Sequence, residues 1–88
     1  MNNAITRDQI EEKVKSIIID IVPELASSQA QMSLETHLTQ TLALDSLALA
    51  ELFMAIEDSF KLHISEKEAI KIETLRALVD FIEHDRKS

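Results

Sequence analysis

The stretch "LALDSLALAELFMAIEDSF", residues 42–60, decides how this chain is read. From Ser46 onward its apolar residues recur every three or four positions, which is the spacing of a helix and not of a strand. Asp45 is a favoured N-cap and Ser46 is at home in a first turn, so the spacing predicts a helix over 46–60. Stepping about 100° per residue divides its apolar residues into two groups. Leu49, Leu52, Phe53, Ile56 and Phe60 form one stripe, sufficient to face a core. Leu47, Ala50 and Met54 fall nearly opposite, with Glu51 and Asp58 on one flank and Glu57 on the other. A small bundle helix needs only one buried face. Either a neighbouring loop folds over the second group, or that group is a docking face ringed by carboxylates for a partner with a basic rim. Methionine suits such a surface, because its flexible, polarisable side chain accepts several partners.

Outward from this helix the rest of the chain also reads as helical. Thr6 and Gln9 fit a capping box, and Ile10, Val14, Ile17, Ile18 and Ile21 follow at helical spacing. Glu11 and Lys15, four apart, are expected to pair on the wet side, and Pro23 marks the end of this helix. Residues 22–44 read as a long connection rich in Ser, Thr and Gln, tied down by Leu34, Leu38, Leu42 and Leu44 and containing at most a short helical turn. Ser65 and Glu68 form a second capping box opening a short helix to about Ile70. Thr74 can cap a last helix with Leu75, Leu78, Val79 and Ile82 facing inward. The expected fold is all-α: a small four-helix bundle, three helices longer and one short, with a long loop between the first and second. Eighty-eight residues make a single domain, 1–88.

Composition excludes several functions. There is no cysteine, hence no disulfide, no thiolate metal site and no thiol nucleophile belonging to the protein. There is no glycine, so glycine-rich phosphate loops are absent. The net charge is −7, and residues 45–59 carry four of the acids with no base among them. Such a field repels nucleic acid and anionic membranes and steers toward a basic partner. No apolar run is long enough to span a membrane, and the N-terminus lacks a signal-peptide layout, so a cytoplasmic monomer is expected. No metal site is expected.

Ser46 is a poor candidate for a catalytic residue. A nucleophilic serine needs a base within hydrogen-bond reach and an oxyanion hole. His37, His63 and His84 stand at no recognisable spacing from it, and Asp45 is a weak base. The chain is therefore not expected to be an enzyme. A serine at a helix N-terminus can instead be a substrate, because the free backbone donors and the helix dipole there favour a phosphate.

The motif Asp45-Ser46-Leu47, the Glu51-Leu52 pair, the closing Phe60 and the following "ISEKEAIKIETLRALVDFI" resemble the acyl carrier protein family, most strongly from Leu38 to Ile82. The resemblance implies that 4′-phosphopantetheine is attached at Ser46, next to Asp45, by a phosphopantetheinyl transferase using coenzyme A and Mg²⁺. Acyl groups would then ride as thioesters on the cofactor's thiol. It also implies docking of acyl-loading and acyl-transferring enzymes, through basic patches, onto Leu47, Ala50, Glu51, Met54, Glu57 and Asp58. A cavity sheltering the acyl chain is a family expectation, with Leu49, Phe53, Ile56 and Ile72 as its lining candidates.

The chain departs from the family at four positions. Ala43 stands where glycine is usual, Ala48 where an acid is common, and Lys61 and His63 where acids are frequent. These departures point to a specialised carrier in a dedicated lipid or polyketide-type pathway. A freestanding peptidyl or aminoacyl carrier is the alternative, although the Gly-Gly pair usual there is missing. An unmodified helical adaptor binding through Leu47 and Met54 is the third.

Overall fold

The computed structural model describes residues 6–87. Helix α1 spans Arg7–Ile21, α2 Ser46–Phe60, α3 Glu66–Lys71 and α4 Leu75–Lys87. A 3₁₀ segment, Pro23–Gln31, follows α1 directly, and no strand occurs among the described residues. The all-α bundle expected from the sequence is the observed fold. Its long connection is more structured than a loop with a single turn.

Each α-helix starts where its capping residue stands. Thr6 accepts from the Gln9 backbone while the Gln9 side chain accepts from Thr6, and Ser65 and Glu68 do the same at α3. Asp45 Oδ1 accepts from Ala48 N at 2.8 Å, and Thr74 Oγ1 accepts from Ala77 N at 3.1 Å. Each contact satisfies one of the backbone donors that a helix start leaves free. Pro23 has no N–H to extend α1 and instead starts the tighter 3₁₀ segment.

The core gathers Ile10, Val14, Ile17 and Ile18 of α1, Leu52, Ile56 and Phe60 of α2, and Leu75, Leu78, Val79 and Ile82 of α4. Helix α1 packs against the 3₁₀ segment, α2 and α4. Leu38, Leu42 and Leu44 anchor the connection in this core, with Leu34 half-buried beside them. Met32 is buried there too.

The connection is also stitched to the α3–α4 junction through its backbone. Leu38 N donates to Glu73 O, Leu75 N to Thr36 O and Arg76 N to Leu34 O, at 2.8–3.0 Å. This is an isolated antiparallel bridge at His37 and Thr74, not a strand pair. The Arg76 guanidinium adds an ion pair to Glu35. Helices α1 and α4 are joined by Arg7, whose guanidinium lies 2.7 Å from Asp80 and 3.0 Å from Glu83.

Lys15 corrects the sequence reading. It pairs with Glu11 at 3.2 Å as expected, but it is buried rather than on the wet side. The 3₁₀ segment lies alongside, and Ala26, Ser27, Gln29 and Ala30 border the depression that contains Lys15. Its aliphatic stem can be covered while the ammonium keeps its carboxylate partner.

Candidate functional site

Ser46 is the first residue of α2 and is exposed. Three residues before it, Ala43 adopts φ 57°, in the left-handed region that favours glycine. Leu42 and Leu44, on either side, are both buried, and Leu44 N donates to Leu38 O. The chain reverses between two core anchors, and the residue at the bend is exposed. An alanine in this conformation costs about 1 kcal/mol, because its Cβ crowds the backbone. Lys61, at the C-terminus of α2, has the same geometry, φ 57° and ψ 49°. A chain without glycine carries this cost at both ends of the same helix.

Asp45 is committed as the N-cap, so its carboxylate orients the helix start on which Ser46 sits. His37 lies 3.6 Å from Glu73, and His63 lies 3.3 Å from Glu57. Both are engaged by carboxylates of their own, and the Ser46 residue is exposed at the helix start.

An open groove of about 690 Å³ runs from Ser46 between α2 and α3. Ser46, Leu49, Ala50 and Phe53 line it from α2, and Glu66, Ala69 and Ile70 from α3. Two of the four residues expected to line an acyl cavity, Leu49 and Phe53, are therefore in this groove. Ile56 and Ile72 are not: both are buried in the main core, and Ile56 is fully enclosed. The α3 wall was missed by sequence reasoning, because the facing side of a six-residue helix depends on how the loop before it enters. The adjacent Ala69 and Ile70 in an otherwise charged short helix were the available signal.

The second apolar group of α2 is uncovered. Leu47 is 68% exposed and Met54 66%, and the long connection does not fold over them. Ala50, Glu51 and Asp58 are exposed on the same helix. Glu57 differs from the other expected docking acids. Its Oε2 accepts from Ile64 N at 2.8 Å and pairs with His63, while its backbone oxygen accepts from Leu62 N at 3.2 Å. This carboxylate holds the turn from α2 to α3, which sequence position alone does not reveal. Ala48 is half-buried against the core, so its small size fits its place as well as an acid would fit solvent.

Glu68, on α3, has its carboxylate engaged at the start of its own helix. Its hydrogen bonds with the Ser65 backbone N–H, and then with the Ser65 side chain, hold it below its ordinary value of 4.5. The capping box of α3 is thus also an electrostatic clasp.

These features coincide with the findings of comparison with known proteins. Residues 12–82 match the family described as the phosphopantetheine attachment site. An acyl carrier protein from Cyanidium caldarium is 40% identical over 78 residues, which are 89% of this chain and 87% of that protein. A solved structure of the acyl carrier protein from Enterococcus faecalis superposes with a TM-score of 0.71 at 32% identity, covering 91% of this chain and 98% of that one. Helical bundle, attachment-site match and similarity over most of the chain agree, and the chain belongs to the acyl carrier protein family, whose members are non-catalytic carriers bearing covalently attached 4′-phosphopantetheine.

Proposed function

We propose that Ser46 is the attachment point of 4′-phosphopantetheine and that the chain presents acyl thioesters to partner enzymes. The observation that carries this reading is an exposed serine hydroxyl at the N-terminus of α2, at the mouth of the apolar groove. A phosphodiester at that position lies where free backbone donors and the helix dipole favour negative charge. The group supplies the thiol that this cysteine-free chain lacks. Asp45 holds the serine at the start of a formed helix, and Leu49 and Phe53 offer apolar cover to a chain lying in the groove.

Leu47, Ala50 and Met54 form the contact face for partners, with Glu51 and Asp58 as its acidic rim. The phosphopantetheinyl transferase and the enzymes that load and remove the acyl group bind there in turn. Glu57 shapes that face by securing the turn beneath it. We assign the chain to the cytoplasm as a single-domain monomer, residues 1–88. Its changed residues Ala43, Ala48, Lys61 and His63 fit a dedicated lipid or polyketide-type pathway.

Intact mass tests the assignment. The protein is incubated with coenzyme A, Mg²⁺ and a broad-specificity phosphopantetheinyl transferase. A gain of one phosphopantetheinyl group, lost in Ser46→Ala, is expected. No gain, or a gain that persists in Ser46→Ala, contradicts it.

A further inference from the structure

We infer that Glu57 is a positioning residue for the acyl cargo. Through the Ile64 amide it sets how closely α3 stands over the groove at Ser46, and so how well a thioester-bound chain lying there is covered. The inference rests on the reading of Ser46 as the attachment point and of the groove as the shelter of the chain.

Helix α3 does not hold its own place. Six residues are too few for a helix to persist unaided in water, and none of the six is buried. Of its apolar residues Ala69 alone packs against the core, while Ile70 is 76% exposed at the groove. The buried side chains are the flanking ones, Ile64 before the helix and Ile72 after it. The capping box joins Ser65 only to Glu68, within the helix and its own cap. Helix α3 is therefore a short wall suspended between two anchors, and the width of the groove depends on how those anchors are fixed.

The two ends are fixed differently. After α3, Glu73 O accepts from Leu38 N at 2.8 Å, a contact between backbones. Before α3, the amide of buried Ile64 donates to a side chain, Glu57 Oε2, at 2.8 Å. Glu57 stands one turn beyond Phe53, so the helix that forms the near wall of the groove also carries the group that fixes the far one. Ile64 lies two residues before Glu66, the first α3 residue to line the groove. Exposed His63 adds a contact of 3.3 Å to the same carboxylate oxygen. A hydrogen bond to a carboxylate is among the stronger ones, and leaving a buried amide unpaired costs its desolvation. Without Glu57 the entry to α3 is expected to move until water reaches the Ile64 amide, carrying α3 away from Leu49, Ala50 and Phe53.

The test compares Glu57→Ala, Glu57→Asp and Glu57→Gln with the parent chain, each checked for helical circular dichroism. Glu57→Asp keeps the charge but is one methylene short, whereas Glu57→Gln keeps an acceptor at the same reach. In the unmodified proteins, hydrogen exchange is expected to show protection of the Ile64 and Ala69 amides falling about tenfold or more in Glu57→Ala and Glu57→Asp. Protection in α1 and α4 stays unchanged, and Glu57→Gln retains most of the parent's. The proteins are then loaded by the transferase from acetyl- or octanoyl-coenzyme A, with intact mass confirming the gain. Hydroxylamine cleaves each thioester to a hydroxamate and a free thiol, and it needs no docking face. Each rate is divided by that of the same coenzyme A thioester. The octanoyl ratio is expected to rise about threefold or more in Glu57→Ala and Glu57→Asp, with the acetyl ratio unmoved. Unchanged protection at Ala69, or an unchanged octanoyl ratio, overturns the inference. So does an effect in Glu57→Gln with none in Glu57→Asp, which would make charge and not the hydrogen bond the cause. Equal octanoyl and acetyl ratios in the parent chain defeat the groove as a shelter, and no mass gain in the parent chain defeats attachment at Ser46 itself.

Discussion

Helices α2 and α4 are of similar length, yet they use their apolar residues differently. In α4, Leu75, Leu78, Val79 and Ile82 are all 0% exposed, and one stripe accounts for the helix. In α2, Leu52, Ile56 and Phe60 do the same work, while Leu47 and Met54 stay in solvent. Folding accounts for one face of each helix. The second face of α2 contributes nothing comparable to the core, so folding does not account for its apolar character.

The largest expected effects divide along that line. Leu78→Ala in α4 and Leu52→Ala on the inner face of α2 should each destabilise by about 2–5 kcal/mol, through lost burial and a residual cavity. Leu47→Ala and Met54→Ala should stay within about 0.5 kcal/mol of the parent. Urea denaturation of the four variants checks this. A large loss for Leu47→Ala would mean that the outer face is structural after all.

The two ends of α2 sharpen the comparison at smaller magnitude. Asp45→Ala removes the N-cap and should cost about 1 kcal/mol in the same denaturation series. Ala43→Gly should change stability in the opposite direction, by about 0.5–1 kcal/mol, because glycine tolerates the left-handed backbone that alanine resists. If Ala43→Gly destabilises, the bend before Ser46 is not strained as described.

The smallest effect is a pH dependence at α3. Glu68 has a folded pKa held below 4.5, so its contribution is fully present above that pH and is lost as pH falls through the folded value. The protection factor of the Ser65 backbone amide, its exchange rate divided into the intrinsic rate at each pH, should fall over that acid range. Glu68→Ala should abolish the step; an identical step in that variant would assign it to another carboxylate.

Much of this was legible in the sequence because the signals were local. Thr6 with Gln9, Asp45 with Ala48, Ser65 with Glu68 and Thr74 with Ala77 each act within one turn, so the caps mark all four α-helix starts. The inward positions of α4 follow from spacing alone. What escaped depends on partners distant in the chain. Burial of Lys15 requires the 3₁₀ segment to lie alongside it, and Met32, at the end of that segment, joins the core beside Leu25, Thr36 and Leu42 of the same connection. Glu57 looked like a rim acid because the turn that uses it, at Ile64, is seven residues away. Of the candidate site, Ser46, Leu49 and Phe53 could be selected from α2, whereas Glu66, Ala69 and Ile70 needed the crossing of α3. Ile56 lies on the inner stripe that spacing indicates, and Ile72 came only with the family expectation; periodicity cannot tell a packed core from a groove wall.

The central claim is that α2 presents Ser46 as the point of attachment. Tandem mass spectrometry of the protein loaded from coenzyme A by a phosphopantetheinyl transferase tests it most directly, because Ser59 and Ser65 flank the same groove-bearing region of the chain. The account predicts the added group on Ser46 alone. Its appearance on any other serine, or its absence from a correctly folded protein, would contradict it.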